Sequence, residues 1–165
     1  MDKWHQSQRG YFAGALYEIM KRNKKIYLLV GDLGYKFFDK IFEKFPDRCI
    51  NCGASEQAMV GIAVGLAQEG KIPFVYTITS FFLRAAETIS LYLSAEQANV
   101  KLVGSGRDCE YKVDGRSHYA YRIESFIGLL DIKGYWPHTK EDVPIAIGKM
   151  LESNCPNFLS LSRLT

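Results

Sequence analysis

The chain has 165 residues, of which 47% are hydrophobic, 13% aromatic and 24% charged, with 14 Gly and 5 Pro. That is enough apolar material for one full core, and it excludes a disordered, collagen-like or low-complexity chain. A net charge of +3, from 21 Lys and Arg against 18 Asp and Glu, is too balanced to point to nucleic acid. No stretch approaches the roughly 18 unbroken apolar residues of a membrane span. The N-terminal Met1–Gly10 segment lacks the apolar run of a secretory signal, so the expectation is one cytoplasmic domain filling residues 1–165.

Helical spacing opens the chain, with Phe12, Ala15, Leu16 and Ile19 at i, i+3, i+4 and i+7. The basic cluster Lys21-Arg22-Asn23-Lys24-Lys25 falls where that helix should stop, and cations there complement the helix dipole. Six short, mostly apolar segments read as strands covered on both faces: Ile26–Val30, Cys49–Asn51, 73–77, 100–104, 133–136 and 158–161. Helical patterns lie between them. One covers 37–45. The next runs from Ser55, a plausible N-cap, to Gly70, a plausible stop. It carries Met59, Ile62, Ala63 and Leu66 and is apolar nearly all round, which predicts deep burial. Further helices are expected over 83–98, 119–130 and 140–153. Strands alternating with helices predict an α/β fold, a doubly wound, mostly parallel six-stranded sheet with helices on both faces. The segment 104–117 is polar, carries three Gly and directly follows a strand. It should be a long loop at a strand's carboxyl end, where open α/β sheets bind ligands.

Several familiar chemistries are not encoded. Cys49-Ile50-Asn51-Cys52 is formally CxxC, but no second pair follows for zinc, and it ends a strand instead of opening a helix. Both thiols are expected to be ordinary buried cysteines. Gly104-Ser105-Gly106 lacks the third glycine of a dinucleotide fingerprint, Cys109 standing in its place. There is no GxxxxGK[ST], GxSxG or HExxH, and His5, His118 and His138 lack metal-ligand spacing. Glu56, between a strand and an apolar helix, admits two readings. It is either a first-turn carboxylate stabilised by the helix dipole or a general acid/base facing a cleft.

Five blocks in order settle which reading to pursue. They are Gly31-Asp32-Leu33-Gly34; Phe45-Pro46-Asp47-Arg48 leading to Asn51-Cys52-Gly53-Ala54-Ser55-Glu56-Gln57; Gly61-Ile62-Ala63-Val64-Gly65-Leu66-Ala67 with Gly70-Lys71-Ile72-Pro73; Thr79-Ser80-Phe81 with Arg84-Ala85; and Asn99-Val100-Lys101-Leu102-Val103 leading to Asp114-Gly115-Arg116-Ser117-His118. From about Arg9 onward the chain resembles the pyrimidine-binding domain of transketolase-like thiamine diphosphate enzymes. The cofactor works through an ylid at C2 of its thiazolium. The resemblance implies that Glu56 bonds N1′ of the aminopyrimidine, so that the 4′-amino group can take the C2 proton. It further implies that Phe81 packs on that ring, that Arg84, Asp32 and Leu33 line the cofactor cleft, and that Asp114 and His118 contact the sugar, His118 also as a catalytic group.

Departures from the family pattern bear on substrate and assembly. Arg116-Ser117 stands inside the DGxxH segment, and Arg122 and Ile123 replace a common acidic pair after the histidine. Gly106 occupies the position of a further substrate-contacting histidine, and Arg107, Lys112 and Arg116 make the loop basic. A more anionic or larger substrate than a simple ketose phosphate is therefore expected. No GDGxxxN-like diphosphate motif occurs, so the resemblance implies a separate diphosphate-binding partner subunit carrying Mg²⁺, in a heterotetramer or similar assembly, with possible homodimerisation. The leading expectation is transfer of a two-carbon ketol unit between sugars. A split 2-oxoacid decarboxylase and a non-catalytic interaction module are the alternatives.

Overall fold

Six parallel strands form one sheet in the computed structural model, which describes residues 4–163. In chain order they are β1 (Ile26–Val30), β2 (Cys49–Asn51), β3 (Ile72–Ile78), β4 (Lys101–Ser105), β5 (Lys133–Tyr135) and β6 (Asn157–Leu161). The spatial order is β2-β1-β3-β4-β6-β5, and every neighbouring pair is parallel. The four central strands are buried along nearly their whole length, which is why they read as unbroken apolar runs. Helices α1 (Gln8–Arg22), α2 (Asp39–Lys44) and α6 (Asp142–Glu152) cover one face around Phe12, Leu16, Phe38, Tyr76 and Ile147. Helices α3 (Glu56–Gln68) and α5 (Tyr121–Leu129), with the segment between β3 and β4, cover the other around Met59, Val60, Phe82, Ile89 and Ile123. The doubly wound α/β fold is therefore present. Because β2 lies on one side of β1 and β3 on the other, winding reverses between β1 and β3. The crevice at their carboxyl ends is the topological switch point.

Local departures from the sequence expectation have physical causes. The 83–98 segment is not one regular helix. It comprises a 3₁₀ stretch Thr79–Ala85, a single α turn α4 (Ala86–Thr88) and a π stretch Ile89–Ala95. Its tight first turns are tethered, since the Thr79 hydroxyl donates to the Gly106 carbonyl at 2.6 Å and the Ser80 hydroxyl to the Ser117 carbonyl at 2.7 Å. Gly104 makes room for this, because a Cβ there would overlap the Thr79 side chain. Helix α3 is not buried all round: Gln57, Ala58, Gly61, Ile62 and Gly65 are exposed. Glycine and alanine read as apolar but bring little side chain to bury. In α1 the buried stripe is Phe12, Ala13, Leu16 and Met20, with Ala15 and Ile19 only half-buried, and Gly14 lets the Trp4 ring lie against the helix. Ser55 stands at the N-cap of α3, yet its hydroxyl donates to the Cys52 carbonyl at 2.6 Å instead of capping the helix. Gly70 stops α3 as expected, in the left-handed region at φ 71°.

Polar groups lock the frame at two further points. Lys21 and Arg22 lie in the last turn of α1, and Arg48 adds hydrogen bonds to the carbonyls of Met20 (3.0 Å) and Asn23 (3.1 Å). Lys101 is fully buried in β4, its ammonium donating to the Ser153 and Cys155 carbonyls and to Asn157 Oδ1 at 3.1, 2.7 and 2.7 Å. Of the CxxC pair, Cys49 is buried and Cys52 half-buried, while Cys109 and Cys155 are exposed.

Candidate active site

The short loop after β2 sets Glu56 in place. Asn51 Oδ1 accepts from the backbone N–H groups of Asp32 (3.1 Å) and Gly53 (3.0 Å), tying the ends of β1 and β2 together. The chain then enters α3 at Glu56, whose side chain is 1% exposed. Its Oε2 accepts from Arg84 Nη1 at 2.9 Å, and its Oε1 accepts from the Thr77 hydroxyl at 3.4 Å. The first bond is short and charge-assisted; the second is long, leaving that oxygen with capacity for another donor. The Arg84 guanidinium lies over the Phe81 ring at 4.2 Å, and Phe81 meets the His118 ring edge-on at 4.9 Å. Glu56, Arg84, Phe81 and His118 thus form one continuous file along the loops that follow β2, β3 and β4. Ala54, Glu56, Gln57, Ala58 and Arg84 line an open cavity of about 470 Å³.

Asp32 and Leu33 lie on the other side of Gly31, where a Cβ would stand 3.6 Å from Glu56 Oε1. Asp32 adopts a left-handed backbone at φ 55°, and Asn51 Nδ2 donates to its carboxylate at 3.4 Å. Both residues line cavities of about 150 and 220 Å³ at the carboxyl end of β1. Asp114 is exposed, with Arg163 Nη1 3.8 Å from its carboxylate. The His118 Nδ1 pairs with the Ser117 hydroxyl at 3.0 Å.

The 104–117 segment is less cationic towards solvent than its sequence suggests. Arg107 turns inward, hydrogen-bonding Ser160 Oγ at 3.2 Å, Gln8 Oε1 at 3.3 Å and the Ser160 carbonyl. Burial lowers its pKa, against the pull of Glu110. Lys112 and Arg116 remain exposed. Gly106 has φ 85°, and a Cβ there would overlap the Tyr111 ring, whose hydroxyl lies 3.0 Å from Ser105 Oγ. Sequence reasoning assigned no role to Asn51, Thr77, Tyr111 or Arg163. Asn51 stood inside the glutamate block, but nothing in the linear pattern paired it with Asp32.

Comparison with known proteins supplies the lineage. The model of the transketolase pyrimidine-binding domain matches residues 5–165. The 6-deoxy-6-sulfo-D-fructose transketolase subunit SqwH of Clostridium sp. (strain MSTE9) is 29% identical over 160 residues, covering 94% of this chain and 49% of that subunit. Human transketolase is 37% identical over 114 residues, covering 68% of this chain and 18% of the human protein. A split-gene transketolase, solved as an inactive beta4 tetramer, superposes with a TM-score of 0.83 at 29% identity, covering 95% of this chain and 51% of that one. The Campylobacter jejuni transketolase gives a TM-score of 0.84 at 18% identity over 96% of this chain and 26% of its own, a likeness of fold. The chain therefore spans about half the length, or less, of these relatives. With the fold, the order of blocks and the family match in agreement, the chain belongs to the transketolase pyrimidine-binding domain family.

Proposed function

We propose that these 165 residues form the pyrimidine-binding part of a split, thiamine diphosphate-dependent transketolase-like transferase that moves a two-carbon ketol unit between sugars or sugar derivatives. The observation that carries this reading is Glu56: a carboxylate 1% exposed, lining an open cavity and held from one side by Arg84. The donor set suits an aminopyrimidine. Glu56 Oε1, engaged only by the long Thr77 bond, can accept from a ring nitrogen, and the half-buried Phe81 offers a face for stacking. When bound, the cofactor supplies a carbanion-stabilising ylid. Glu56 holds the proton at the ring nitrogen, Arg84 fixes the carboxylate's orientation, and His118, packed on Phe81, hydrogen-bonds the sugar oxygen where charge develops. Asp32 and Leu33 complete the cleft, and Asp114 reads a sugar hydroxyl.

On this reading the grip on the diphosphate and its Mg²⁺ is supplied by a diphosphate-binding partner subunit. The relatives support such a division, since one is called a transketolase subunit and another a split-gene transketolase whose beta4 tetramer is inactive. A sulfonated sugar, as in the name of the first, fits the expectation of an anionic donor. The chain would pair with the diphosphate-binding subunit in a heteromer built around paired pyrimidine domains.

The test is deuterium exchange at C2 of thiamine diphosphate by the chain mixed with its diphosphate-binding partner. Glu56→Gln should slow exchange by about 10²–10⁴-fold, the usual worth of a general acid–base step. Equal exchange in wild type and variant, or none in wild type, would defeat the proposal. Ketol transfer to an aldehyde without CO₂ release distinguishes the transferase from a 2-oxoacid decarboxylase.

A further inference from the structure

A single carboxylate joins two distant parts of the chain beside the site. Glu110, half-buried in the loop after β4, accepts three hydrogen bonds. Its Oε2 takes the backbone N–H groups of Arg107 at 3.0 Å and Arg163 at 2.7 Å, and its Oε1 takes the Ser162 hydroxyl at 2.7 Å. Ser162 and Arg163 continue the chain past β6, the strand paired with β4. The loop and the end of the neighbouring strand are thus joined through one side chain. Backbone bonds tie the loop at either end, the Gly106 N–H donating to the Leu161 carbonyl at 2.8 Å and the Ala120 N–H to the Asp108 carbonyl at 2.7 Å.

Held at its backbone by Glu110, Arg163 lays its guanidinium over the Tyr111 ring at 4.5 Å and brings Nη1 to 3.8 Å from the Asp114 carboxylate. The Tyr111 carbonyl accepts from the Asp114 N–H at 2.9 Å, and its ring lies 6.0 Å from that of His118. A partly exposed ion pair at 3.8 Å holds little by itself, whereas hydrogen bonds to an ionised carboxylate are about twice as strong as neutral ones. The loop's position is therefore set at Glu110 and passed on through Arg163 and Tyr111. We propose that Glu110 is a positioning residue, whose three-donor clamp fixes where Asp114 and His118 face the substrate. A glutamine offers one acceptor oxygen in place of two, so it keeps only part of the clamp. That Asp114 and His118 meet a sugar rests on the transferase reading; the clamp itself does not.

The full chain, labelled with ¹³C-histidine, gives NMR ring signals for His5, His118 and His138 alone. Glu110→Ala should move the His118 signal, which the Phe81 and Tyr111 rings shift, and leave His5 in place; Glu110→Gln should move it less, in the same direction. Amide hydrogen exchange at Arg107 and Arg163 should quicken at least about tenfold in Glu110→Ala, as for loss of a hydrogen bond to a charged group, while β1 and β3 amides keep their rates. Mixed with the diphosphate-binding partner, the same variant should keep C2 exchange of thiamine diphosphate within about twofold of wild type, as for separate sites. It should raise at least about tenfold the KM for whichever of D-fructose 6-phosphate and 6-deoxy-6-sulfo-D-fructose the wild type turns over. An unmoved His118 signal, an unaltered KM, or exchange quickened equally in β1 and β3 overturns the proposal. If Glu110→Ala does not fold, a His118 signal in Glu110→Gln identical to that of wild type overturns it equally. Absence of C2 exchange or turnover in wild type would defeat the transferase reading and leave the ring signal and amide rates to decide the clamp. Failure of the clamp with C2 exchange intact would leave that reading standing.

Discussion

Replacing Arg84 by methionine isolates the interaction that holds Glu56. The carboxylate is 1% exposed and the arginine side chain 53% exposed, so removing the arginine leaves a buried charge with one long hydrogen bond from Thr77. Breaking a fully buried pair costs about 3–5 kcal/mol. Because half of Arg84 already meets water, its share is screened, and a loss of about 2–3 kcal/mol is expected. For a domain of this size that lowers the melting temperature by about 5–10 °C. The same substitution also removes the guanidinium from the Phe81 ring, worth about 0.5–1 kcal/mol. A double-mutant cycle separates the two. In a Glu56→Gln background no charge is stranded, so Arg84→Met should then cost only the ring contact, leaving a coupling of about 1.5 kcal/mol or more. Urea denaturation of the four proteins reads it directly. A coupling near zero would mean that Arg84 stabilises through Phe81 alone and that Glu56 is not held by it.

Two further outcomes follow from buried groups outside the site. Burial lowers the pKa of Lys101 from 10.5 to about 8, so between these values the unfolded chain binds the proton more tightly and stability rises with pH. Wild-type urea stability should gain up to about 3 kcal/mol relative to Lys101→Met from pH 8 to 10.5, with no such gain below pH 8; a flat difference refutes the assignment. Burial likewise pushes the Cys49 thiol up to about 12, whereas Cys109 and Cys155 are exposed. A thiol reagent at pH 8 should label those two rapidly and Cys49 only after unfolding, and equally fast labelling of Cys49 by peptide mass mapping would contradict its burial.

Short apolar runs bounded by turn residues are legible as strands: β1 and the edge strand β2 fall at Ile26–Val30 and Cys49–Asn51 as read, and the other strands differ only at their ends. Patterns that depend on counting small residues as apolar mislead. The Ala/Gly positions of α3 suggested burial all round, yet Ala58, Gly61 and Gly65 lie on an exposed face. Side chains that bond across distant loops are not legible at all. The tether from Thr79 to Gly106 holds the start of a 3₁₀ stretch ahead of the expected helix, and no local propensity encodes it. The same holds for charge. Arg107 counts as loop basicity in the sequence but is spent on Ser160 and Gln8, while Arg9, an unremarkable early residue, ends over the Phe37 ring at the cleft.

These placements give the crevice between β1 and β3 an electrostatic direction. At the Glu56 end the carboxylate is matched by Arg84, and beside it lie the rings of Phe81 and His118. Past Gly31 the cavity is lined by Arg9 and the hydroxyl-bearing Tyr76, Ser105 and Tyr111, with the single carboxylate of Asp32 accepting from Asn51. The two ends therefore differ in charge: a buried carboxylate matched by one arginine at the first, and an arginine sharing its cavity with one carboxylate at the second. Reversing the sign of the second end tests whether the two ends are independent: Arg9→Glu should leave the Glu56–Arg84 coupling energy within about 0.5 kcal/mol of its wild-type value, as for sites that share no partner. A change in that coupling would mean that the two ends are one interacting unit.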